Sequence, residues 1–401
     1  MKKLIRNFLI PLLVAFLAGC ASTSVPTQQS ASLPVVTSLK TISDMTQIGF
    51  EWLSVNDEKV IGYELYRLDT KSQKFKSIAV INDRFATHYV DTDLKPETTY
   101  TYQLRTFSES AISNPGESVS ATTKPLLNSV PFAQAIAGLP NRVKLIWRPH
   151  PDASVVSYVI KRANANDEKF SHVATIDGRL NAEFIDTNVK PGKNYKYIIY
   201  VKTGSGVLSN PSEVIQATTK KLPNPVTKIN ATQNEPKKIV LTWQAPQIDD
   251  FSHYNVYRAI SKFLPYTYVA KTSDTSFEDL INSNGATRYY KITAVDIDGL
   301  ESLKQNEPVL GATLAQPDAP QISANFDGSG INVSWERVNR ASYYSVFRSG
   351  GGDDKSFSNI TETSFYDSDI TQNSTYKYRV VAVDEFGLSS DKSNSVEIAV
   401  K

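Results

Sequence analysis

The chain has 401 residues, with 43 lysines and arginines against 41 aspartates and glutamates, four histidines and a single cysteine. This length exceeds what one hydrophobic core serves and fits three or four domains. The near balance of charge argues against nucleic-acid binding by the chain as a whole, and one cysteine excludes an internal disulfide.

The first 19 residues have the form of a bacterial export signal. Three basic residues precede an apolar run from Phe8 to Leu17, which is too short to cross a bilayer as a helix. The sequence Leu-Ala-Gly-Cys that ends at Cys20 resembles a lipobox, and the resemblance implies cleavage before Cys20 and lipidation of its thiol. The alternative is an ordinary secretory signal with a chance cysteine. Lipidation predicts a membrane-anchored protein.

Residues 20–33 are predicted to be the lipidated cysteine and a flexible tether, because they are rich in Ser, Thr and Gln. Ala21 follows the cysteine, and by the sorting rule known for enteric lipoproteins a residue other than Asp there allows export to the outer membrane. We therefore expect a protein anchored in the bacterial outer membrane.

The remainder of the chain repeats one pattern four times. Its only tryptophans are separated by 95, 96 and 92 residues, and each ends an alternating run such as VKLIW. Alternation with β-branched residues predicts half-buried strands. Arginines follow at the end of the next strand, then aspartates, and a tyrosine lies 11 residues after each aspartate. The four sets are Trp52, Arg67, Asp91, Tyr102; Trp147, Arg162, Asp186, Tyr197; Trp243, Arg258, Asp279, Tyr290; and Trp335, Arg348, Asp367, Tyr378.

Helical patterns are nearly absent after the signal, and about seven short strands per repeat predict an all-β fold of β-sandwiches. The lone Trp, the Y-x-x-x-R strand and the missing cysteines resemble fibronectin type III domains, and the four tyrosines resemble the tyrosine corner of Ig-like sandwiches. The resemblance implies a tandem array of four such domains. The predicted repeats are 34–125, 126–221, 222–315 and 316–401.

The sequence holds no recognisable catalytic constellation. No pair of histidines has metal-ligand spacing, no cysteine is left for catalysis, and nucleophile-elbow and phosphate-loop motifs are absent. The four repeated aspartates suggest a metal array, but their constant place in each repeat favours a structural role. We therefore expect no enzyme activity, no cofactor, no metal site, no small-molecule substrate and no nucleic-acid partner.

Charge is distributed unevenly among the repeats. The second repeat has 13 basic and 7 acidic residues, a net charge of +6, whereas the others carry −2, −1 and −4 in chain order. A basic domain in an otherwise acidic array can steer an acidic partner, although drift of composition would give the same numbers.

The segment WRPHPDASV of the second repeat follows its tryptophan, at the place of the B–C loop of an Ig-like sandwich. Pro149 and Pro151 restrict the backbone and lower the entropy lost on binding. Arg148 offers a fork of donors, and His150 offers an imidazole that can form hydrogen bonds with a partner. The alternative is an ordinary loop behind a core tryptophan.

The lipobox, the tether, the type III repeats and this segment together resemble the fibronectin-like adhesin lipoproteins of Campylobacter. In that family the matching segment is associated with binding of host fibronectin. Ala153 and Ser154 depart from the family, which carries a bulky aromatic and a basic residue there. The resemblance implies a fibronectin site at Trp147, Arg148, Pro149, His150, Pro151, Asp152, Ala153, Ser154 and Val155.

Two other functions fit the same repeats. One is a non-catalytic spacer or scaffold that holds other proteins of the cell envelope. The other is an accessory to a glycan-processing enzyme, in which exposed tyrosines bind sugars. Protease accessibility on intact cells distinguishes a surface adhesin from an internal scaffold, and glycan binding distinguishes the accessory.

Overall fold

The computed structural model of the chain describes residues 25–401. These residues form 30 β-strands and no helix, so the all-β prediction is confirmed. None of the described residues belongs to a helix that is able to cross a membrane. The signal peptide and Cys20 lie outside the described residues, and the lipidation site stays a prediction.

The strands form eight sheets, two for each predicted repeat, and one of them also includes Gln29 and Ser30 from before the first repeat. The described chain divides into two compact units. The first unit contains the first sandwich and most of the second. The second unit contains the third and fourth sandwiches, with two short segments at 138–142 and 188–193.

The first sandwich faces a three-stranded sheet, β2-β3-β6, with a larger sheet of order β1-β8-β7-β4-β5, in which β9 also pairs with β7. Its strands are β1 (Gln29–Ser30), β2 (Lys40–Ser43), β3 (Ile48–Glu51), β4 (Gly62–Asp69), β5 (Lys74–Ile81), β6 (His88–Asp91), β7 (Thr99–Phe107), β8 (Ile112–Ser113) and β9 (Val119–Thr122).

Strand β1 corrects the predicted extent of the flexible tether. Gln29 and Ser30 pair in parallel with Ile112 and Ser113 of β8, and the side chain of Leu33 is buried. The tether prediction rested on the polar composition of residues 20–33. Composition does not show this pairing, because a free sheet edge can form hydrogen bonds with the backbone of any segment, whether its side chains are polar or not.

The second sandwich has sheets of order β10-β11-β14 and β13-β12-β15-β16. Tyr158 and Ile160 on β12 pair with Val201 and Ile199 on β15, and all four side chains lie on the buried side of the larger sheet. Its strands are β10 (Ala133–Ile136), β11 (Val143–Trp147), β12 (Val155–Asn164), β13 (Ser171–Asp177), β14 (Glu183–Asp186), β15 (Asn194–Thr203) and β16 (Ile215–Thr218).

The third and fourth sandwiches repeat this topology, with orders β17-β18-β21 and β20-β19-β22-β23, then β24-β25-β28 and β27-β26-β29-β30. The third contains β17 (Thr227–Ala231), β18 (Lys238–Gln244), β19 (Phe251–Ala259), β20 (Thr267–Thr272), β21 (Ser276–Leu280), β22 (Thr287–Asp296) and β23 (Val309–Ala312). The fourth contains β24 (Ile322–Phe326), β25 (Ile331–Trp335), β26 (Ala341–Gly350), β27 (Lys355–Ile360), β28 (Ser364–Asp367), β29 (Thr375–Asp384) and β30 (Val396–Ala399).

Each core is built from the alternating positions of facing strands. All four tryptophans are buried, and each lies 5.2–5.3 Å, between ring centroids, from a tyrosine of the following strand. The buried indole N–H groups have no hydrogen-bond acceptor among residues 25–401.

Candidate functional site

The B–C loop of the second sandwich, residues 148–154, joins β11 to β12. Trp147 ends β11 in the core, and Val155 begins β12 with 2% of its surface exposed. Between these two anchors the loop presents one continuous outer surface. Its exposed residues are Arg148, Pro149, Pro151, Asp152, Ala153 and Ser154.

Tyr158 braces this loop from within the sandwich. Its hydroxyl accepts a hydrogen bond from the backbone N–H of His150 at 2.8 Å and donates one to the carbonyl of Arg179 at 2.5 Å. The Arg179 guanidinium in turn donates to the carbonyl of His150 at 3.0 Å. These three bonds form a closed cycle, so the B–C loop is held to the turn after β13.

The structure corrects the prediction that His150 offers its imidazole to a partner. Only 6% of His150 is exposed, and its Nδ1 accepts a hydrogen bond from the backbone N–H of Asp152 at 3.1 Å. The residue is turned inward because the tyrosine hydroxyl and the guanidinium hold both of its backbone polar groups. Trp147, His150 and Val155 therefore support the loop, and the other six predicted residues form its surface.

Asp152 shapes the second half of the loop. Its carboxylate accepts hydrogen bonds from the hydroxyl and the backbone N–H of Ser154, at 2.6 and 2.8 Å. These bonds hold the pKa of Asp152 below its ordinary value despite slight desolvation. The carboxylate is thus a negative charge at neutral pH, and the turn that it closes favours a short residue at position 154.

Arg148 forms the positive side of the loop. Its backbone N–H donates to the carbonyl of Phe132 at 3.1 Å, and its guanidinium lies over the Phe132 ring, 5.6 Å from the centroid. Phe132 is 42% exposed, so a cation and an open aromatic ring stand side by side. Phe132 was not predicted from the sequence, since it precedes β10 and is distant from the loop along the chain.

Arg179 was also missed as a supporting residue. The sequence Asp177-Gly178-Arg179 reads as a tight turn, and Gly178 has the left-handed φ of +90° that such a turn requires. The signal for the turn was therefore present in the sequence. The pairing of that turn with His150 depends on how two loops meet at one end of the sandwich, and no local pattern encodes it.

The repeated aspartates have the structural role that their spacing favoured. In each sandwich the carboxylate accepts hydrogen bonds from the arginine and from the tyrosine of the same repeat. The arginine bonds are 2.8, 2.7, 2.8 and 2.9 Å for Arg67–Asp91, Arg162–Asp186, Arg258–Asp279 and Arg348–Asp367. The tyrosine bonds are 2.9, 2.9, 2.7 and 2.6 Å for Tyr102, Tyr197, Tyr290 and Tyr378.

These tyrosines do not form the corner that was predicted for them. The hydroxyl of Tyr100, two residues before Tyr102, accepts the backbone N–H of Lys95 at 2.9 Å. Tyr376 accepts that of Thr371 in the same way at 2.7 Å. A corner needs a hydroxyl that reaches the backbone a few residues upstream, and the later tyrosine is instead committed to the aspartate.

A cluster of three carboxylates lies in the third sandwich. Oxygens of Asp250, Asp296 and Asp298 lie within 4.8 Å of one another, a spacing able to hold a metal ion. The Lys220 ammonium pairs with all three and lies 2.9 Å from Asp296. Burial raises the pKa of Asp296, but the bonds from Lys220 and two backbone N–H groups outweigh it and leave that pKa below its ordinary value. The cluster therefore fixes the segment after β16.

No protein-family model matches the chain. The chain is 25% identical over 272 residues to Exoglucanase B of Cellulomonas fimi, which covers 63% of this chain and 23% of that protein. It is 28% identical over 158 residues to Fibronectin type III domain-containing protein 1 of Margaritifera margaritifera, which covers 39% of this chain and 20% of that protein.

Among solved structures, the FN1-FN3 domains of chicken CNTN1 share 12% identity with the chain at a TM-score of 0.24, covering 69% of this chain and 98% of that one. The chain spans less than a quarter of the length of either curated relative above. The sandwich topology is that of fibronectin type III-like domains, the domain type for which the Margaritifera relative is named.

Proposed function

We propose that the chain is a surface-exposed, lipid-anchored bacterial adhesin that binds host fibronectin through the B–C loop of the second sandwich. The observation that supports this proposal most is the hydrogen-bonded cycle of His150, Tyr158 and Arg179, which holds the loop in one conformation while its outer residues stay exposed. No catalytic step is part of the proposal.

A braced loop binds with a smaller entropic cost than a mobile one. Ordering one side chain at an interface costs about 0.5–1.5 kcal/mol. The two prolines and the hydrogen-bonded cycle have already ordered the loop backbone, so no further backbone ordering adds to this cost. Arg148 beside the exposed ring of Phe132 offers the cation and aromatic surface that interfaces favour. The charge of +6 on this repeat would attract an acidic partner face.

The experiment measures binding of the full-length chain to immobilised fibronectin, with an Arg148→Ala/Pro151→Ala variant beside the wild type. Both residues are exposed, so we expect the variant to fold. Binding should weaken by about tenfold or more, because a desolvated arginine at an interface typically contributes more than 1 kcal/mol.

The matched control is Arg337→Ala, which removes an exposed arginine from the equivalent loop of the fourth sandwich. It should bind as the wild type does. Equal loss in both variants would show general charge attraction and would contradict the proposal. Binding that appears only after Ala153→Phe/Ser154→Lys would show that the two departures from the family have removed the affinity of this chain.

A scaffold in the cell envelope is the second candidate, favoured by the inward position of three of the nine predicted residues, Trp147, His150 and Val155. A scaffold needs no open loop at the cell surface. Protease treatment of intact cells separates the two functions, since a surface adhesin is cleaved and an internal scaffold is protected.

A further inference from the structure

The outer face of the larger sheet of the fourth sandwich contains a concavity of about 530 Å³. It lies across the strands β27, β26 and β29 and the segment that leads into β30. Phe347 forms its apolar part, and four cationic side chains surround it. These are Lys355, Lys377, Arg379 and Lys392, and the carboxylate of Asp354 also lines the concavity.

The strand register places these side chains on one face. Phe347 is paired with Arg379 on one side and with Ser356 on the other. Ser349 is paired with Lys377. Neighbours along a strand point to opposite faces, so the intervening Arg348 and Tyr378 are buried in the sandwich, although Arg348 also contributes to the lining of the concavity.

The charge of this face contrasts with that of its sandwich. The fourth repeat has 8 basic and 12 acidic residues, a net charge of −4, yet four of the eight basic side chains meet here. Two of them are partly neutralised, Lys355 by Asp369 and Lys377 by Glu397. Within residues 25–401, Arg379 and Lys392 have no carboxylate partner, and the Lys392 ammonium lies 4.9 Å from the centroid of Phe347.

On the same face of the third sandwich, a carboxylate balances the cationic side chains. Tyr257 is paired with Lys291 there, as Phe347 is with Arg379, and the Lys304 ammonium lies 3.4 Å from the Tyr257 ring centroid. The Glu301 carboxylate accepts hydrogen bonds from Tyr257 and Thr293 at 2.6 and 2.5 Å. The fourth sandwich has Ser389 at the bridge position of Glu301, so Arg379 and Lys392 lack that counter-charge, although Asp354 also lines the concavity.

The lining selects a particular ligand chemistry. A guanidinium fork binds carboxylate or sulfate in two parallel hydrogen bonds. The hydroxyls of Ser349, Ser356 and Ser395 are free of protein partners among the described residues and suit the hydroxyls of a sugar. Phe347 adds an apolar surface for a sugar ring. A nucleic acid would need several stacking aromatics, and a long polyanion would be repelled by the net charge of −4.

We propose that this concavity binds a short acidic oligosaccharide, with Arg379 and Lys392 holding its carboxylate or sulfate and the serine hydroxyls holding the sugar. The site is separate from the B–C loop of the second sandwich. Binding of the oligosaccharide does not depend on fibronectin binding, so an experiment can contradict either proposal without affecting the other.

The test is calorimetric titration of the full-length chain with 3′-sialyllactose, with 3′-sulfolactose and with lactose. The first two differ in the anion, and lactose lacks one. We expect saturable binding of at least one anionic sugar, weakened by added salt, and no measurable binding of lactose. An Arg379→Ala/Lys392→Ala variant should lose about tenfold or more in affinity, because it removes the charge-assisted bonds.

Lys304→Ala is the matched control, since it removes the corresponding lysine of the third sandwich and leaves the concavity intact. Its affinity should equal that of the wild type. Equal binding of lactose and the anionic sugars, no binding of any of them, or equal losses in the control and the double variant would each overturn the proposal. Circular dichroism of both variants checks that the sandwiches remain folded.

Discussion

Arg348 and Asp367 form the most buried of the four repeated arginine–aspartate pairs. Their side chains are 4% and 2% exposed, against 33% for Arg67 in the first sandwich. Asp367→Ala would leave the buried guanidinium with only the exposed carboxylate of Asp369, 3.6 Å away, as a counter-charge, and we expect a loss of about 3 kcal/mol in the free energy of unfolding. Calorimetry of the full chain should show one lowered transition.

The control is Asp91→Ala, where water reaches the partner Arg67 and the loss should be smaller. An Arg348→Met/Asp367→Leu variant should recover much of the stability, because an apolar pair of similar volume has no desolvation penalty. Equal losses for Asp367→Ala and Asp91→Ala would mean that burial does not govern these pairs.

At the scale of elements, the loop of the second sandwich depends on one hydroxyl. Tyr158→Phe removes the acceptor of the His150 N–H and the donor to the Arg179 carbonyl. We expect a cost of about 1–3 kcal/mol, the desolvation penalty of buried polar groups left unpaired. Hydrogen exchange at the His150 amide should accelerate with it.

Tyr200→Phe serves as the comparison, since its ring contacts Lys161 and its hydroxyl has no partner among the described residues. Its stability should change little. A Tyr158→Phe protein with wild-type exchange at His150 would show that the prolines alone order the loop.

At the scale of the whole molecule, every sandwich buries one phenol beside an aspartate. Burial and the carboxylate raise the pKa of Tyr102, Tyr197, Tyr290 and Tyr378 far above the ordinary value. The neutral phenol therefore stabilises the fold fully below the unfolded pKa of about 10, and this stabilisation is lost as pH rises above it. All four thermal transitions should fall together in alkali.

Thermal scans between about pH 8 and pH 11 check this expectation, with tyrosinate absorbance as the second readout. In a Tyr102→Phe variant the first sandwich should be less stable at neutral pH and should lose less in alkali. Transitions that stay constant while the absorbance rises would show that the buried phenols ionise without unfolding the sandwiches.

Local repetition in the sequence was sufficient to predict the fold class and the number of sandwiches. Strand burial has a period of two, so an alternating run of neighbouring residues is enough to recognise a strand. One tryptophan per repeat and the constant spacings then identify the repeats. The structural role of Asp91 and its equivalents followed from the same regularity. The exposed positions of the B–C loop could also be predicted from the sequence, since Arg148 and the prolines lie between two recognisable strands.

Tertiary structure decided what depends on residues distant in the chain. His150 turned inward because Tyr158 and Arg179 hold its backbone, and Phe132 met Arg148 because two strands begin and end at the same edge. Residues near Gln29 became a strand because β8 offered an edge. The side chains that line the cationic concavity around Arg379 are contributed by four separate segments of the chain. Such contacts follow from register and packing across sheets, which no single stretch of sequence contains.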